Sequence, residues 1–372
     1  MLQRILNIDG LQGLIDALAE SGHRVIGPRV EEGVVVLAPL RSVDELPAGW
    51  VDEQSGGRYR LKELVTEEGI RPLFAHLVGP HAWKRFLHPP REVLWRARRE
   101  TEGLAFEVEA PKPSRFAFLG VRACDLAAML IQDRVLMEGA HVDVGYARRR
   151  RESFILAVNC MRSADSCFCA SMGSGPQVGA GHDLLLTELV EGGDHRFLLE
   201  AGSESGERLL APLPGRSPLP EELAARDRLV AEAACGQQGG MPAGSSRILG
   251  ENLEHPHWEA VAARCLHCGN CTSVCPTCFC TRMDAVTSLD GTTAEQRRSW
   301  DSCFNEAYSH LHGGALRHGI AARYRQWLIH KLLHWQDQFG TPGCTGCGRC
   351  ITWCPVGIDM REEVRALEEA RP

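Results

Sequence analysis

One cysteine pattern occurs twice in this chain, and it constrains the fold more than anything else. "CLHCGNCTSVCP" reads Cys265-x2-Cys268-x2-Cys271-x3-Cys275-Pro276, and "CTGCGRCITWCP" reads Cys344-x2-Cys347-x2-Cys350-x3-Cys354-Pro355, with 68 residues between Cys275 and Cys344. Three thiols at steps of three residues oblige the backbone to wrap in a short loop. Gly269, Gly346 and Gly348 supply the conformational freedom that such a loop needs. Pro276 and Pro355 end each loop without an N–H to satisfy.

Disulfides, zinc and iron–sulfur clusters compete for cysteines this dense. The N-terminal stretch "MLQRILNIDGLQGLIDALAESG" has acids, no long apolar core and no small-residue cleavage site, so it does not read as a signal peptide. Apolar runs such as "VVVLAPL" and "FILAV" are too short to cross a bilayer. A cytoplasmic location is expected, where thiols stay reduced and sixteen cysteines argue for metal or redox chemistry. The net charge of −7 gives no sign of a nucleic-acid or anionic-membrane partner. Structural zinc wants pairs of C-x2-C and no third cysteine at the same step. The full run with its terminal proline is the one that bacterial two-cluster ferredoxins carry, in which the fourth cysteine serves the other cluster. The spacing therefore predicts one [4Fe–4S] cluster on Cys265, Cys268, Cys271 and Cys354. A second is predicted on Cys344, Cys347, Cys350 and Cys275.

Four further cysteines precede these loops. Cys124 sits where a strand runs into a helix, and Cys160, Cys167 and Cys169 follow in "NCMRSADSCFCASMGSGP". They suit a third [4Fe–4S] cluster; the alternative is a structural Cys124 beside a zinc-bound or unligated trio. Cys278, Cys280 and Cys303 line a cluster, exchange as ligands, or pack as small apolar residues. Cys235 reads as an ordinary thiol.

The fold class expected is α+β: a mixed α/β N-terminal domain (1–200), a connecting region (201–250), and a helical, ferredoxin-type two-cluster domain (251–372). Strand-like runs are "GVVVLAPL", "RFAFLGV" and "SFILAVNC", while "CDLAAMLIQDRVLMEG" and "HDLLLTELVEG" read as helices. The Gly-, Pro- and Ser-rich segments 201–220 and 235–247 read as loose. A long amphipathic helix is expected over 317–339, between the two cysteine loops, and a closing helix over 358–370.

Other signals are weaker. The glycines of "MGSGPQVGAG" do not match a dinucleotide fingerprint, and the loop reads as a wrap for the third cluster, with an anion site at a following helix as the rival. "YARRRRES" (146–153), with four consecutive arginines, reads as a solvated face, or more sharply as a docking patch for an acidic partner. His330 and His334 share a helix face, as a metal pair or as packing. Trp258, Trp300, Trp327, Trp335 and Trp353 gather near the cysteine loops, where aromatic cover would exclude water. No catalytic constellation is evident.

Taken together, "GVRACDLAAM", "CFCASMGSGP", "CPTCFC", "WDSCF" and "GCGRCITWCPVGIDM" resemble the iron–sulfur beta subunit of soluble sulfhydrogenase-type NiFe hydrogenases. The same blocks are similar to the iron–sulfur subunit of anaerobic sulfite reductase. They run from about Gly120 to the C-terminus. The resemblance implies a non-catalytic electron-transfer subunit working between NiFe small and large subunits and a flavin/NAD(P)-binding subunit. In the alternative, a sirohaem sulfite reductase subunit takes the place of the NiFe pair. Clusters that are purely structural remain a third reading.

Overall fold

A computed structural model describes residues 2–108 and 115–369. Its strands, in chain order, are β1 (Gln3–Leu6), β2 (Arg24–Glu31), β3 (Val34–Pro39), β4 (Trp50–Ser55), β5 (Arg58–Glu63), β6 (Arg91–Glu100) and β7 (Gly103–Val108). Then come β8 (Phe116–Val121), β9 (Phe154–Val158), β10 (Leu184–Glu191), β11 (Asp194–Ala201), β12 (Thr281–Thr287) and β13 (Thr293–Trp300), followed by the two-residue β14 (His310–Leu311) and β15 (Gly314–Ala315). The chain is α+β, as expected.

Seven strands form the main sheet in the order β1-β11-β10-β9-β8-β2-β3. β2, β8, β9 and β10 run parallel, and antiparallel strands close both edges, β3 on one side and β11 with β1 on the other. Every residue of "FAFLGV" and "FILAV" is buried, because both faces of these central strands are covered. Leu119, Leu156 and Leu186 pack against Leu11, Leu14 and Leu18 of helix Ile8–Glu20 on one face. Phe118 and Ile155 pack against Trp83, Leu126 and Met129 on the other.

"HDLLLTELVEG" is a correction: it forms β10, not a helix. Its apparent helical pattern comes from Glu188, a fully buried acid. That carboxylate accepts from the Leu73 and Phe74 amides at 2.6 and 2.8 Å and meets His195 Nε2 at 2.7 Å. Gly192 and Gly193, both at positive φ, turn β10 straight into β11. Since no helix follows "MGSGPQVGAG", the anion site imagined there is lost. The segment 201–220 is also less loose than its composition suggests: Glu204–Leu210 is helical, capped by Ser203. The arginine run is solvated only in part: Arg148 and Arg151 are exposed, but the other two turn inward. Arg149 is buried against Glu92 at 2.8 Å, and Arg150 pairs with Asp133 at 3.1 Å.

A second sheet, β12-β13-β6-β7, joins residues 91–108 to residues 281–300 through antiparallel pairing. The stretch between the cysteine loops thus contains a hairpin as well as the expected long helix. That helix runs as Ile320–Ile329, a π-wound His330–His334 and Trp335–Phe339, and stops at Gly340 (φ 68°). It packs with helices Ser245–Glu251, His257–Arg264 and Met360–Glu369 around Trp258, Tyr324, Leu328 and Val364. Ala370, at the end of the expected closing helix, lies outside the described residues. Among the described residues, no helix is long and apolar enough to cross a membrane.

The N-terminal sheet and the cysteine loops are pinned together by Arg349, which sits between Cys347 and Cys350 and is 1% exposed. Its guanidinium donates to the carbonyls of Gly79 (2.9 Å) and His81 (3.2 Å) and pairs with Asp125 at 2.8 and 3.0 Å. Arg349→Met should destabilise the fold by about 3–5 kcal/mol, since it strands a buried carboxylate. Urea denaturation checks this, and pairing the change with Asp125→Leu should recover part of the loss.

Candidate metal centres

The first loop begins where helix His257–Arg264 ends, at Cys265. His267 (φ 57°) and Gly269 (φ 72°) take the left-handed conformation that turns the chain back. In the second loop Gly346 (φ 61°) and Gly348 (φ 76°) do the same. Backbone amides then point at sulfur: His267 N to Cys265 Sγ at 3.4 Å, Gly346 N to Cys344 Sγ at 3.5 Å, and Ile358 N to Cys354 Sγ at 3.3 Å.

The two loops lie against one another and enclose two cavities. Cys265, Cys268, Cys271 and Cys354 line the first, with Phe304, Tyr324 and Trp327 as its apolar wall. Cys275, Cys344, Cys347 and Cys350 line the second. Cys350 borders both. The first cavity therefore receives three thiols from its own loop with Cys354 and Cys350 from the other, and the second receives three from its own loop with Cys275 from the other. Among the described residues no three His, Cys, Asp or Glu side chains converge closely enough to hold a single ion. The sulfurs stand instead around the walls of a space, an arrangement that fits a group wider than one metal atom. Burial pushes the Cys271 thiol upwards and the Cys344 thiol up to about 12. Bare thiolates are thus costly here, and a cationic inorganic core would supply the compensation.

The four cysteines of the N-terminal part also come together. Cys124 lies in the first turn of helix Ala123–Leu136, and Cys160 lies just beyond β9. Cys124, Cys169 and Val78 form a buried cluster against Cys347 of the second set. Desolvation raises the Cys167 and Cys169 thiols to about 12, and both have Cys160 and Cys347 as electrostatic neighbours. Gln237 Nε2 donates to Cys169 Sγ at 3.1 Å. "MGSGP" folds over this group: a Cβ on Gly175 would stand 3.1 Å from Cys169 Sγ. Phe168 N donates to Gly346 O at 2.9 Å, tying "CFC" to the second loop.

The remaining cysteines fall into pairs. Cys278 hydrogen-bonds Cys275, which lowers Cys275 and raises Cys278, with Lys331 and Lys84 adding to the stabilisation of a Cys275 thiolate. Cys280 and Cys303 hydrogen-bond each other near Tyr308, holding Cys280 down at about 6. Cys235 is exposed. His330 packs against Phe279 and Trp335. Trp353 stacks on Tyr59 of β5, with 5.1 Å between centroids. Several residues of the site carry no motif. Lys331, Lys84, Thr277, Arg349 and Asp125 were not singled out from sequence, although a lysine inside "WLIHKLLHW" is a visible anomaly on an apolar helix face.

Residues 264–358 match the family described as a 4Fe-4S dicluster domain. The chain is 28% identical over 320 residues to Sulfhydrogenase 2 subunit beta of Pyrococcus furiosus, covering 84% of this chain and 89% of that relative. No solved structure matches. The resemblance read from the cysteine blocks holds across most of the chain, and together these findings support an iron–sulfur electron-transfer subunit.

Gly346 has no room for a side chain: a Cβ would stand 2.6 Å from the Phe168–Cys169 backbone. Gly346→Ala should cost about 1–2 kcal/mol through its left-handed backbone alone, and more through that clash. A lowered melting temperature with weaker iron retention is expected; unchanged melting would mean that "CFC" does not rest on this glycine.

Proposed function

We propose that this chain relays electrons between a flavin/NAD(P)-binding partner and a NiFe hydrogenase module, in the cytoplasm, without itself touching either substrate. The observation that carries the reading is the contiguity of three cysteine groups. Cys350 borders both dicluster cavities, and Cys347 of the second packs on Cys124 and Cys169 of the third. In this reading Cys265, Cys268, Cys271 and Cys354 hold one [4Fe–4S] cluster, and Cys344, Cys347, Cys350 and Cys275 hold the next. Cys124, Cys160, Cys167 and Cys169 hold a third. A bound cubane accepts and returns one electron at a time.

The chain's own residues do the rest. Phe304, Tyr324 and Trp327 exclude water from the first site, so little solvent has to reorganise when its charge changes. Amides aimed at Cys265, Cys344 and Cys354 stabilise electron-rich sulfur. Cys268 and Leu266 are exposed, bringing the first site to the surface where a partner can approach. Arg349 and Asp125 hold the second and third groups in fixed register.

Iron analysis of anaerobically purified protein should give about twelve irons per chain, at four per cubane, and about eight if the third site is empty. Dithionite should produce paramagnetic reduced clusters; their absence would leave the clusters structural. Cys354→Ser should damage the centre built mainly on the distant Cys265 loop. Loss of the Cys344 centre alone would refute the shared ligation. Native co-purification should yield a flavoprotein and a NiFe protein, whereas a sirohaem partner would transfer the same relay to sulfite reduction.

A further inference from the structure

A buried lysine stands on the wall of the second cavity. Lys331 is 4% exposed, and its polar partners are a threonine hydroxyl and a thiol sulfur, not a carboxylate. Its Nζ donates to Thr277 Oγ1 at 2.9 Å and to Cys275 Sγ at 3.1 Å. Thr277 Oγ1 in turn donates to Gly343 O at 2.8 Å.

The helix is shaped to place it there. From His330 to His334 the winding is π rather than α, which displaces the register and frees backbone groups, a device frequent at functional sites. The Lys331 carbonyl accepts from Gly343 N at 2.7 Å, immediately before Cys344. One residue thus touches Cys275 from the first loop and the entrance to the second.

Burying an ammonium costs several kcal/mol unless negative charge repays it. The nearest candidate is the sulfur that Lys331 already faces, and the centre that sulfur would bind. The first cavity has no counterpart: no lysine or arginine lines it, and apart from Asn270 its non-cysteine wall, with Leu266, Phe304, Tyr324, Trp327 and Ile358, is apolar or aromatic. A fixed positive charge stabilises the more negative, reduced state of a nearby centre.

We propose that Lys331 raises the reduction potential of the centre held by Cys275, Cys344, Cys347 and Cys350, making the middle of the row the preferred resting place of the electron. The proposal rests on the ligand assignment given above. Its consequence is directional: an electron entering from the exposed first site falls inward, and leaves only when a partner pulls it out.

The test is an EPR-monitored potentiometric titration of the anaerobically purified full chain, comparing wild type, Lys331→Met and Lys331→Arg. Cys265→Ser and Cys344→Ser identify which signal belongs to which loop. In Lys331→Met, the reduced-to-oxidised ratio of the signal abolished by Cys344→Ser should fall at least tenfold at fixed ambient potential, equivalent to about 59 mV for one electron. The other signals should not move, iron content should hold, and Lys331→Arg should restore most of the ratio. An unmoved ratio with iron retained would overturn the proposal while leaving the ligand assignment intact. So would iron loss in Lys331→Met together with an unshifted potential in an iron-replete Lys331→Gln, since Lys331 would then only clamp the loops. A shift confined to the signal abolished by Cys265→Ser would overturn it through the ligand assignment itself.

Discussion

The side chain of Arg349 is the contact on which the arrangement of the molecule depends. It lies inside the second cysteine loop yet spends its donors on Gly79, His81 and Asp125, all in the N-terminal part of the chain. A guanidinium this buried is tolerable only with a carboxylate and carbonyls in place. The loop, the segment around Gly79 and the helix carrying Cys124 are therefore positioned by one another. Tyr59 stacked on Trp353, and Gly57 N donating to Ile351 O at 3.1 Å, extend the same contact along the hairpin β4–β5.

That contact gives the cysteine groups their common environment. Burial is the main cause that raises the Cys167, Cys169, Cys271 and Cys344 thiols, and amides, a glutamine and two lysines lend polarity to the walls around the cysteine groups. Such surroundings suit a group whose charge changes by single units, because fixed dipoles and apolar walls do not have to rearrange each time. Lys84, which donates to Cys278 O at 3.0 Å and lies 4.1 Å over the Trp300 ring, is held by the second sheet's end as Lys331 is held by the long helix. The two sheets thus serve the sites as scaffolding.

Much of the architecture was legible along the chain. "FAFLGV" and "FILAV" read as strands from their continuous apolar runs, and their burial on both faces accounts for that composition. The helix after Gly319 was visible in its period, and Ser203 capping Glu204–Leu210 was there to be seen in a segment whose glycines and prolines drew attention instead. "HDLLLTELVEG" misled for a physical reason: a fully buried Glu188 is compatible with a strand only because the Leu73 and Phe74 amides and His195 meet it. The two amides come from a far-off stretch of chain and are invisible to any local pattern. Half of the arginine run misled in the same way, the partners Glu92 of Arg149 and Asp133 of Arg150 lying on other elements.

From its order alone the chain specified which thiols are neighbours within each loop, since short spacings and glycines leave the backbone few ways to run. It also marked the boundary between apolar strands and a cysteine-rich, helical end. The crossed pairing of Cys354 with the Cys265 loop was legible too, in the repeated spacing. What the order could not specify is how the cysteine groups meet and what surrounds them: Cys347 packing on Cys124 and Cys169, and Lys331 facing Cys275, are long-range contacts. They arise only when the sheet, the buried arginine and a π-wound turn bring distant segments together, because the energy that selects them belongs to burial and charge compensation in the folded core rather than to any local stretch.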